Sequence, residues 1–436
     1  MTSFRLFPLV AIIGAACVAP TPSPSPSPAV NSALGGVAER YVKLVLDVGQ
    51  QDDGYVDAYY GPAEWQTVAA SRKVPLDQLA REAHTLRTLV GAVAVAGVPE
   101  IVALRKEYLD KQLGAVAARI AMLQGRKFSF DEESRALYDA VSPAIPESRF
   151  RVTLDSLSAV VPGTGPLGPR LEAFRKEFII PPARIDAVFR AAVAESRRRT
   201  AARLELPPNE SFVLEYVKDK PWSGYNWYKG NAQSLIQINT ELPIFIDRAI
   251  DLAAHEGYPG HHVYNALLEQ RLVRDRGWVE FSVYPLYSPQ SLIAEGSANY
   301  GIEVAFPGSE RMEFEKRVLF PLAGIDPSRA DAYYRVQRLT SKLAYVGNDV
   351  ARQYLDGRID KDQAAERLVA FGLYSPERAR QRVRFIDTYR SYVINYNLGM
   401  DLVREWVERK AGADPDRRWK LFEELLSSPR LPSGLK

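Results

Sequence analysis

Three of the four histidines in this 436-residue chain stand within eight consecutive residues, between His255 and His262. The segment reads His-Glu-Gly-Tyr-Pro-Gly-His-His. Imidazole is a common metal ligand, and Glu256 follows the first histidine as the general base does in the zinc motif His-Glu-x-x-His. The chain contains a single cysteine, which excludes a thiolate-rich zinc site. A metal site in this chain must therefore use histidine and carboxylate ligands.

The spacing of these histidines requires an interrupted helix. On an ideal helix His261 is rotated roughly 120° from His255, whereas His262 returns to the same face about 10 Å further along the axis. Pro259 lacks the N–H that a regular helix needs, and Gly260 permits unusual backbone angles. We therefore predict a two-residue bulge that makes His261 the second ligand. His262 is the alternative second ligand, or a catalytic donor beside the metal.

The third ligand is expected on a later helix. Ser288 and Pro289 have the residue types preferred at a helix N-cap and first position. Glu295 follows in a setting of apolar and small residues, where a buried carboxylate is costly unless it binds a cation. We predict Glu295 as the third ligand, with Glu303 as the competing choice and Asn299 orienting the site.

Apolar residues recur at three- and four-residue spacing through most of the chain, which predicts a mainly α fold. The predicted helices are Leu34 to Val48, Leu76 to Ala94, Val102 to Leu123, Ile185 to Leu204, Leu292 to Val304, Arg329 to Leu355, Lys361 to Phe371 and Phe385 to Lys410. A further helix begins at Pro243 and leads into His255.

Two short strands precede this metal helix. Ser211 to Tyr216 and Ser234 to Ile238 have strand-like composition and flank an aromatic-rich segment, 222–230, which indicates a small antiparallel β-sheet. The second strand is placed like the edge strand that holds an extended peptide through its main chain. A buried structural hairpin is the alternative. The candidate substrate-binding residues are Ile236, Ile238 and Asn239.

The N-terminus predicts export. Arg5 precedes the apolar run Leu6 to Ala16, which is too short to span a bilayer and is typical of a signal peptide, residues 1–16. Cys17 then stands where a bacterial lipoprotein is lipidated, followed by a proline- and serine-rich tether, residues 17–32. An unmodified buried thiol is the alternative. We expect residues 33–436 to form one domain, anchored to a membrane of the bacterial cell envelope.

The charge is balanced, with 56 basic and 53 acidic side chains and a formal net charge of +3. A nucleic-acid-binding protein needs a concentrated basic surface, which this composition does not indicate. We therefore expect no nucleic-acid partner.

Four segments together resemble a known family: Ser234 to Pro243, the histidine segment, Glu295-Gly296, and Tyr396-Asn397-Leu398-Gly399. The family is an uncharacterised group of bacterial lipoproteins with an HExxPGHH signature, placed among the gluzincin-like metallopeptidases. The resemblance implies a large helical, two-lobed cleft like that of the angiotensin-converting-enzyme and oligopeptidase group. It also implies ligands at His255, His261 and Glu295, and a base at Glu256.

These observations predict a zinc-dependent hydrolase, with one Zn²⁺ per chain and a peptide as substrate. Zinc is preferred over manganese or cobalt because of the ligand types. Tyr396 is the first candidate to donate a hydrogen bond to the oxyanion, and His262 is the second. Two alternatives share the same residues: a metal-dependent amidase acting on cell-wall peptides, and a non-catalytic binding lipoprotein with a degenerate site.

Overall fold

The computed structural model describes residues 28–220 and 222–436. The signal peptide and Cys17 lie outside the described residues. Helix α1 begins at Pro28, within the segment 17–32 that the sequence assigns to the tether. The alternating prolines end at residue 28, and the sequence that follows buries Leu34 and Val37 on one helix face. No described helix is long and apolar enough to cross a membrane.

The mainly helical fold class is confirmed. The first half contains α1 (Pro28–Gly49), α2 (Ala63–Ala70), α3 (Leu76–Ala92), α4 (Glu100–Leu123), α5 (Phe130–Tyr138), α6 (Glu147–Val160), α7 (Leu167–Lys176) and α8 (Ile185–Ala201). The second half contains α9 (Asp247–Leu252), α10 (His261–Leu268), α11 (Pro289–Ala305), α12 (Glu310–Phe314), α13 (Phe320–Ala323), α14 (Ala330–Thr340), α15 (Val346–Leu355), α16 (Lys361–Gly372), α17 (Pro376–Tyr389), α18 (Ile394–Ala411) and α19 (Pro415–Leu426). The strands are β1 (Val56–Tyr59), β2 (Ser211–Val217), β3 (Gly224–Gly230), β4 (Gln233–Asn239) and β5 (Val283–Pro285).

Two of the predicted long helices are interrupted. The segment from 329 to 355 forms α14 and α15 with a short 3₁₀ turn between them. The segment from 385 to 410 belongs to α17 and α18, which are separated at Arg390, where φ is +53°. Buried Glu133 accepts hydrogen bonds from the side chain of Arg390 and from the N–H and hydroxyl of Ser391. These tertiary contacts stabilise a break that the apolar periodicity does not reveal.

The small sheet by the metal helix is mixed, with strand order β2-β4-β3. The prediction of an antiparallel sheet is wrong for the two predicted strands, because β2 and β4 run parallel. The aromatic segment between them is itself a strand, β3, which pairs antiparallel with β4. A second, two-stranded sheet joins β1 to β5.

Strand β4 is the central strand of its sheet, so the prediction of an edge strand at Ser234 to Ile238 is wrong. Its main chain pairs with β2 on one side and β3 on the other. Ile236 and Ile238 are 2% and 1% exposed and belong to the core, as the buried-hairpin alternative implies. The edge strands are β2 and β3.

Helices α11 and α18 approach each other at two glycines. A Cβ atom on Gly296 would lie 2.4 Å from the carbonyl carbon and oxygen of Gly399. A Cβ atom on Gly399 would lie 2.6 Å from the carbonyl oxygen of Leu292. Only glycine permits two helix backbones to come this close. The contact holds Glu295 of α11 against the start of α18.

We predict that Gly296→Ala destabilises the protein by about 1–3 kcal/mol or more, because the added methyl group forces α11 and α18 apart. Denaturant unfolding measures the change in the free energy of unfolding. The matched control is Gly36→Ala in α1, where a Cβ atom meets nothing within 4 Å. Alanine there should be neutral or stabilise by about 0.5–1 kcal/mol. Equal stability of the two variants would contradict the packing argument.

Candidate metal centre

The helix that carries the first histidine ends in an irregular turn. After α9 the backbone widens into a π turn, Ala253–Gly257, and Tyr258 is extended with φ −118° and ψ 117°. The N–H of Gly260 donates to the carbonyl of Ala254 at 2.9 Å. Helix α10 then begins at His261. The predicted interruption is therefore confirmed, although the helix before it starts at Asp247 rather than Pro243.

Gly260 is required by this turn. A Cβ atom on it would lie 1.9 Å from the carbonyl oxygen of His255 and 2.5 Å from that of Ala254. No side chain larger than hydrogen fits at these distances. The chain thus folds back tightly enough to bring His261 next to His255.

Three side-chain atoms meet at one point in the wall of a cleft. The Nε2 atoms of His255 and His261 are 3.2 Å apart. Glu295 Oε2 lies 3.2 Å from the first of them and 3.7 Å from the second. Ligand atoms about 2.0–2.1 Å from a tetrahedral zinc ion lie about 3.4 Å from one another. The spacing of these three residues fits such an ion, and they form the metal-competent cluster of the described chain.

The carboxylate of Glu295 is held on one side and free on the other. Its Oε1 accepts a hydrogen bond from Tyr392 at 2.8 Å, whereas its buried Oε2 has no partner in hydrogen-bond geometry. Burial raises the pKa of Glu295, but His255 and His261 outweigh burial and hold this pKa well below its usual range. A buried, unpaired oxygen directed at two imidazole nitrogens is the arrangement that a cation completes.

Asn299 orients the first histidine. Its Oδ1 lies 3.1 Å from His255 Nδ1, and its Nδ2 donates to the carbonyl of Tyr396 at 3.1 Å. Such a contact on the far nitrogen directs Nε2 toward the metal position. Glu303, the competing ligand, lies one helical turn further and forms an ion pair with Arg404 at 2.8 Å.

Glu256 lines the cleft beside the ligands. Burial raises the pKa of its carboxyl group to about 7, with Glu295 contributing in the same direction and His261 opposing it. A Cβ atom on Gly224 of β3 would lie 2.8 Å from Glu256 Oε1. The glycine therefore leaves the space that this carboxylate occupies.

His262 does not reach the metal position. It is fully buried, with Nδ1 2.9 Å from the Ser234 hydroxyl and Nε2 3.0 Å from Glu210 Oε2. Successive residues of a helix point about 100° apart, so α10 directs His261 into the cleft and His262 into the core. The prediction that His262 is a catalytic residue or a ligand is wrong. It instead connects α10 to β4 and to Glu210.

Tyr396 lines the cleft close to the ligands. Burial raises the pKa of its hydroxyl well above the usual value, and the nearby carboxylates of Glu295 and Glu256 contribute. The hydroxyl therefore stays protonated and can donate a hydrogen bond. Its role as oxyanion donor stays a prediction.

Sequence reasoning missed two residues near the ligands. Tyr392, which binds Glu295, precedes Tyr396 by four positions, and this helical spacing was the only signal available. Asp57, in strand β1, also lines the cleft and accepts a hydrogen bond from Tyr225. Burial raises the pKa of Asp57 to about 6. No local pattern distinguishes Asp57 from the other carboxylates of the chain.

The cleft has a volume of about 960 Å³. Of the three predicted substrate-binding residues, only Asn239 lines it. The side-chain amide of Asn239 donates to the carbonyls of Lys220 and Trp222, so it also holds the loop before β3.

No model of a known protein family matches the chain, and a search of curated proteins finds no match. Among solved structures, the fold is similar to that of a predicted lipoprotein from Colwellia psychrerythraea. The TM-score is 0.51, at 16% sequence identity over 85% of this chain and 71% of that chain. This similarity concerns the fold.

Two further solved structures are less similar. A predicted lipoprotein of unknown function from Shewanella oneidensis has a TM-score of 0.44 and 11% identity, over 85% of this chain and 75% of its own. The M32 carboxypeptidase from Deinococcus radiodurans R1 has a TM-score of 0.35 and 13% identity, over 91% of this chain and 90% of its own.

We predict that the two adjacent histidines respond differently to substitution. His261→Ala should lose the bound metal and keep its stability in metal-free buffer. His262→Gln should retain the metal but lose about 1–3 kcal/mol of stability, because Glu210 loses a buried hydrogen bond. Elemental analysis and denaturant unfolding measure the two properties. Loss of metal in His262→Gln at unchanged stability would contradict the observed orientation of the two rings.

Proposed function

We propose that the protein is a zinc-dependent hydrolase that cleaves peptide bonds, with the metal bound by His255, His261 and Glu295. One observation carries the proposal: these three ligand atoms converge at the wall of a large cleft, beside the carboxylate of Glu256. Three protein ligands that leave a position open to the cleft are typical of catalytic zinc. A closed structural site would use a fourth protein ligand.

Bound zinc would supply a Lewis acid that activates a water molecule and polarises the scissile carbonyl. Glu256 accepts the proton of the attacking water and then donates it to the leaving amine. A pKa near 7 suits a group that first accepts and then donates a proton at neutral pH.

The neighbouring residues support a peptide as substrate. Strand β3 is an edge strand, and Gly224, Tyr225, Asn226 and Trp227 line the cleft. A free strand edge binds an extended peptide through main-chain hydrogen bonds. We assign to β3 the substrate-holding role that the sequence suggested for β4. Tyr396, which also lines the cleft, donates a hydrogen bond to the oxyanion.

We also propose that the protein is exported and anchored to the bacterial cell envelope through a lipid on Cys17. The apolar run before Cys17 and the proline-rich segment after it support this location. The peptide substrate would then be encountered outside the cytoplasm.

The first test is the metal content of purified protein, measured by elemental analysis beside cleavage of a mixed peptide library. Wild type and Glu256→Gln should each contain about one zinc ion per chain, whereas Glu295→Ala should contain none. Only the wild type should cleave peptides, because Glu256→Gln retains the metal but cannot accept the proton. Glu303→Gln is the matched control: it removes another cleft carboxylate of α11 and should keep both metal and cleavage.

The outcomes separate the alternatives. A metal-free wild type with intact fold would contradict the proposal and favour a binding lipoprotein. A metal-loaded protein that releases ammonia or cell-wall amines without cutting peptides would favour an amidase.

We predict that Tyr396→Phe lowers kcat by about 100- to 1000-fold with little change in KM or metal content, because the oxyanion loses one donor. Tyr345→Phe is the control, since this tyrosine donates to Asp401 and does not line the cleft. Steady-state kinetics on a peptide from the library measure both variants. Full turnover by Tyr396→Phe would remove this residue from the mechanism.

A further inference from the structure

Two arginines of α17 line the same cleft as the metal ligands. Arg378 and Arg382 are four residues apart, so they lie one helical turn from each other on one face. Both are partly buried. A pair of cations in this position requires an explanation, because burying a charge without a partner is costly.

Neither arginine has an acidic partner within residues 28–220 and 222–436. Arg378 donates to the carbonyl of Pro243 at 3.3 Å and lies over the ring of Phe245. Arg382 lies over the ring of Phe385 at 4.7 Å, and its buried Nε has no acceptor. Both guanidinium groups thus face aromatic rings instead of carboxylates.

The other two arginines of the cleft differ from this pair. Arg248 binds Asp251 at 3.0 Å. Arg311 binds the same aspartate at 2.8 Å and Glu315 at 2.9 Å. The unpaired state of Arg378 and Arg382 is therefore a property of these two positions and not of the whole cleft.

The charges around Arg378 favour the binding of an anion. Burial lowers the pKa of Arg378, and the neighbouring cations Arg175 and Arg248 lower it further, with smaller opposing effects of Tyr374 and Asp247. An anion bound here would raise the pKa of Arg378 again. A carboxylate is the chemical group that matches the flat, two-pronged guanidinium best.

Two aromatic side chains connect Arg382 to the ligand Glu295. The guanidinium carbon of Arg382 lies 6.0 Å from the centre of the Tyr396 ring. The rings of Tyr396 and Tyr392 are 5.9 Å apart, and the Tyr392 hydroxyl is 2.8 Å from Glu295. An extended peptide covers about 3.3 Å per residue. The arginine pair therefore lies within a few residues of the scissile position.

We infer that Arg378 and Arg382 form a subsite for a carboxylate of the substrate, which makes the protein selective for peptides that carry a free carboxylate a few residues beyond the cleaved bond. This inference rests on the proposed peptidase function. The carboxylate has two sources, the C-terminus of the peptide or an aspartate or glutamate side chain. A C-terminal carboxylate would limit cleavage to short segments at peptide ends.

The test is a binding measurement that does not depend on cleavage. Zinc-loaded Glu256→Gln protein is titrated calorimetrically with acetylated pentaalanine ending in a carboxylate or in a carboxamide. A third peptide ends in a carboxamide but has aspartate at its penultimate position. The inference predicts about 10- to 100-fold tighter binding of the C-terminal acid than of the plain amide, as expected for a charge-assisted hydrogen bond. If the third peptide binds tightly and the C-terminal acid does not, the subsite binds an acidic side chain rather than the C-terminus.

Substitutions connect the preference to the arginine pair. Arg378→Gln and Arg382→Gln are added together to the Glu256→Gln protein. In this double variant the affinity for the acid peptide should fall to that for the amide peptide, and the affinity for the amide peptide should not change. Arg382→Lys should retain part of the preference because it keeps the charge. The matched control is Arg384→Gln, an exposed arginine of the same helix that does not line the cleft. It should bind both peptides as the parent does.

Equal affinity for all three peptides, or no binding of any of them, would overturn the inference. A preference that persists in the double variant would also overturn it, because the carboxylate would then bind the metal directly. Cleavage by the wild type is scored separately on the same peptides. Acid-selective binding without cleavage would contradict the peptidase proposal but support the carboxylate subsite. Cleavage of the acid and amide peptides at equal rates would support the peptidase proposal but contradict the subsite.

Discussion

The carbonyl oxygen of His255 occupies the space that any side chain on residue 260 would need, at 1.9 Å from an ideal Cβ position. This contact lets the chain turn back on itself after α9 and start α10 immediately. As a result the Nε2 atoms of His255 and His261 lie 3.2 Å apart, although six residues separate the histidines. A regular helix would direct these two rings roughly 120° apart.

The helix that carries Glu295 is positioned by the same kind of close contact. A Cβ atom on Gly301 of α11 would lie 3.0 Å from Pro259, at the break in the metal helix. On another side of α11, Gly296 meets the backbone of Gly399 in α18. Since α11 is held between these two contacts, Glu295 is carried to the histidines and Tyr392 is brought onto its carboxylate. The glycines thus set the geometry of the site, whereas the ionisable side chains provide its reactive groups.

Charge is distributed unevenly along the cleft. The carboxylates of Glu256, Glu295 and Asp57 lie at the histidine end, where burial and mutual repulsion raise the pKa of Glu256 and of Asp57. Arginines of α9, α12 and α17 also line the wall, and those of α9 and α12 are paired with Asp251. The unpaired arginines of α17 and the carboxylates beside the histidines present opposite charges to one cleft, and such charges orient a polar ligand.

Local chemistry was enough to predict the interrupted helix and the approach of His261 and Glu295 to His255. The missing N–H of Pro259, the residue types and helical periodicity all act over a few residues. The direction of His262 depends on Glu210, fifty-two positions earlier. The edge position of β3, the place of Asp57 and the bond from Tyr392 to Glu295 likewise depend on segments distant in the chain. The sequence by itself therefore determined which groups could bind a metal, and only the tertiary structure decided which side chains surround it, because those neighbours come from long-range packing.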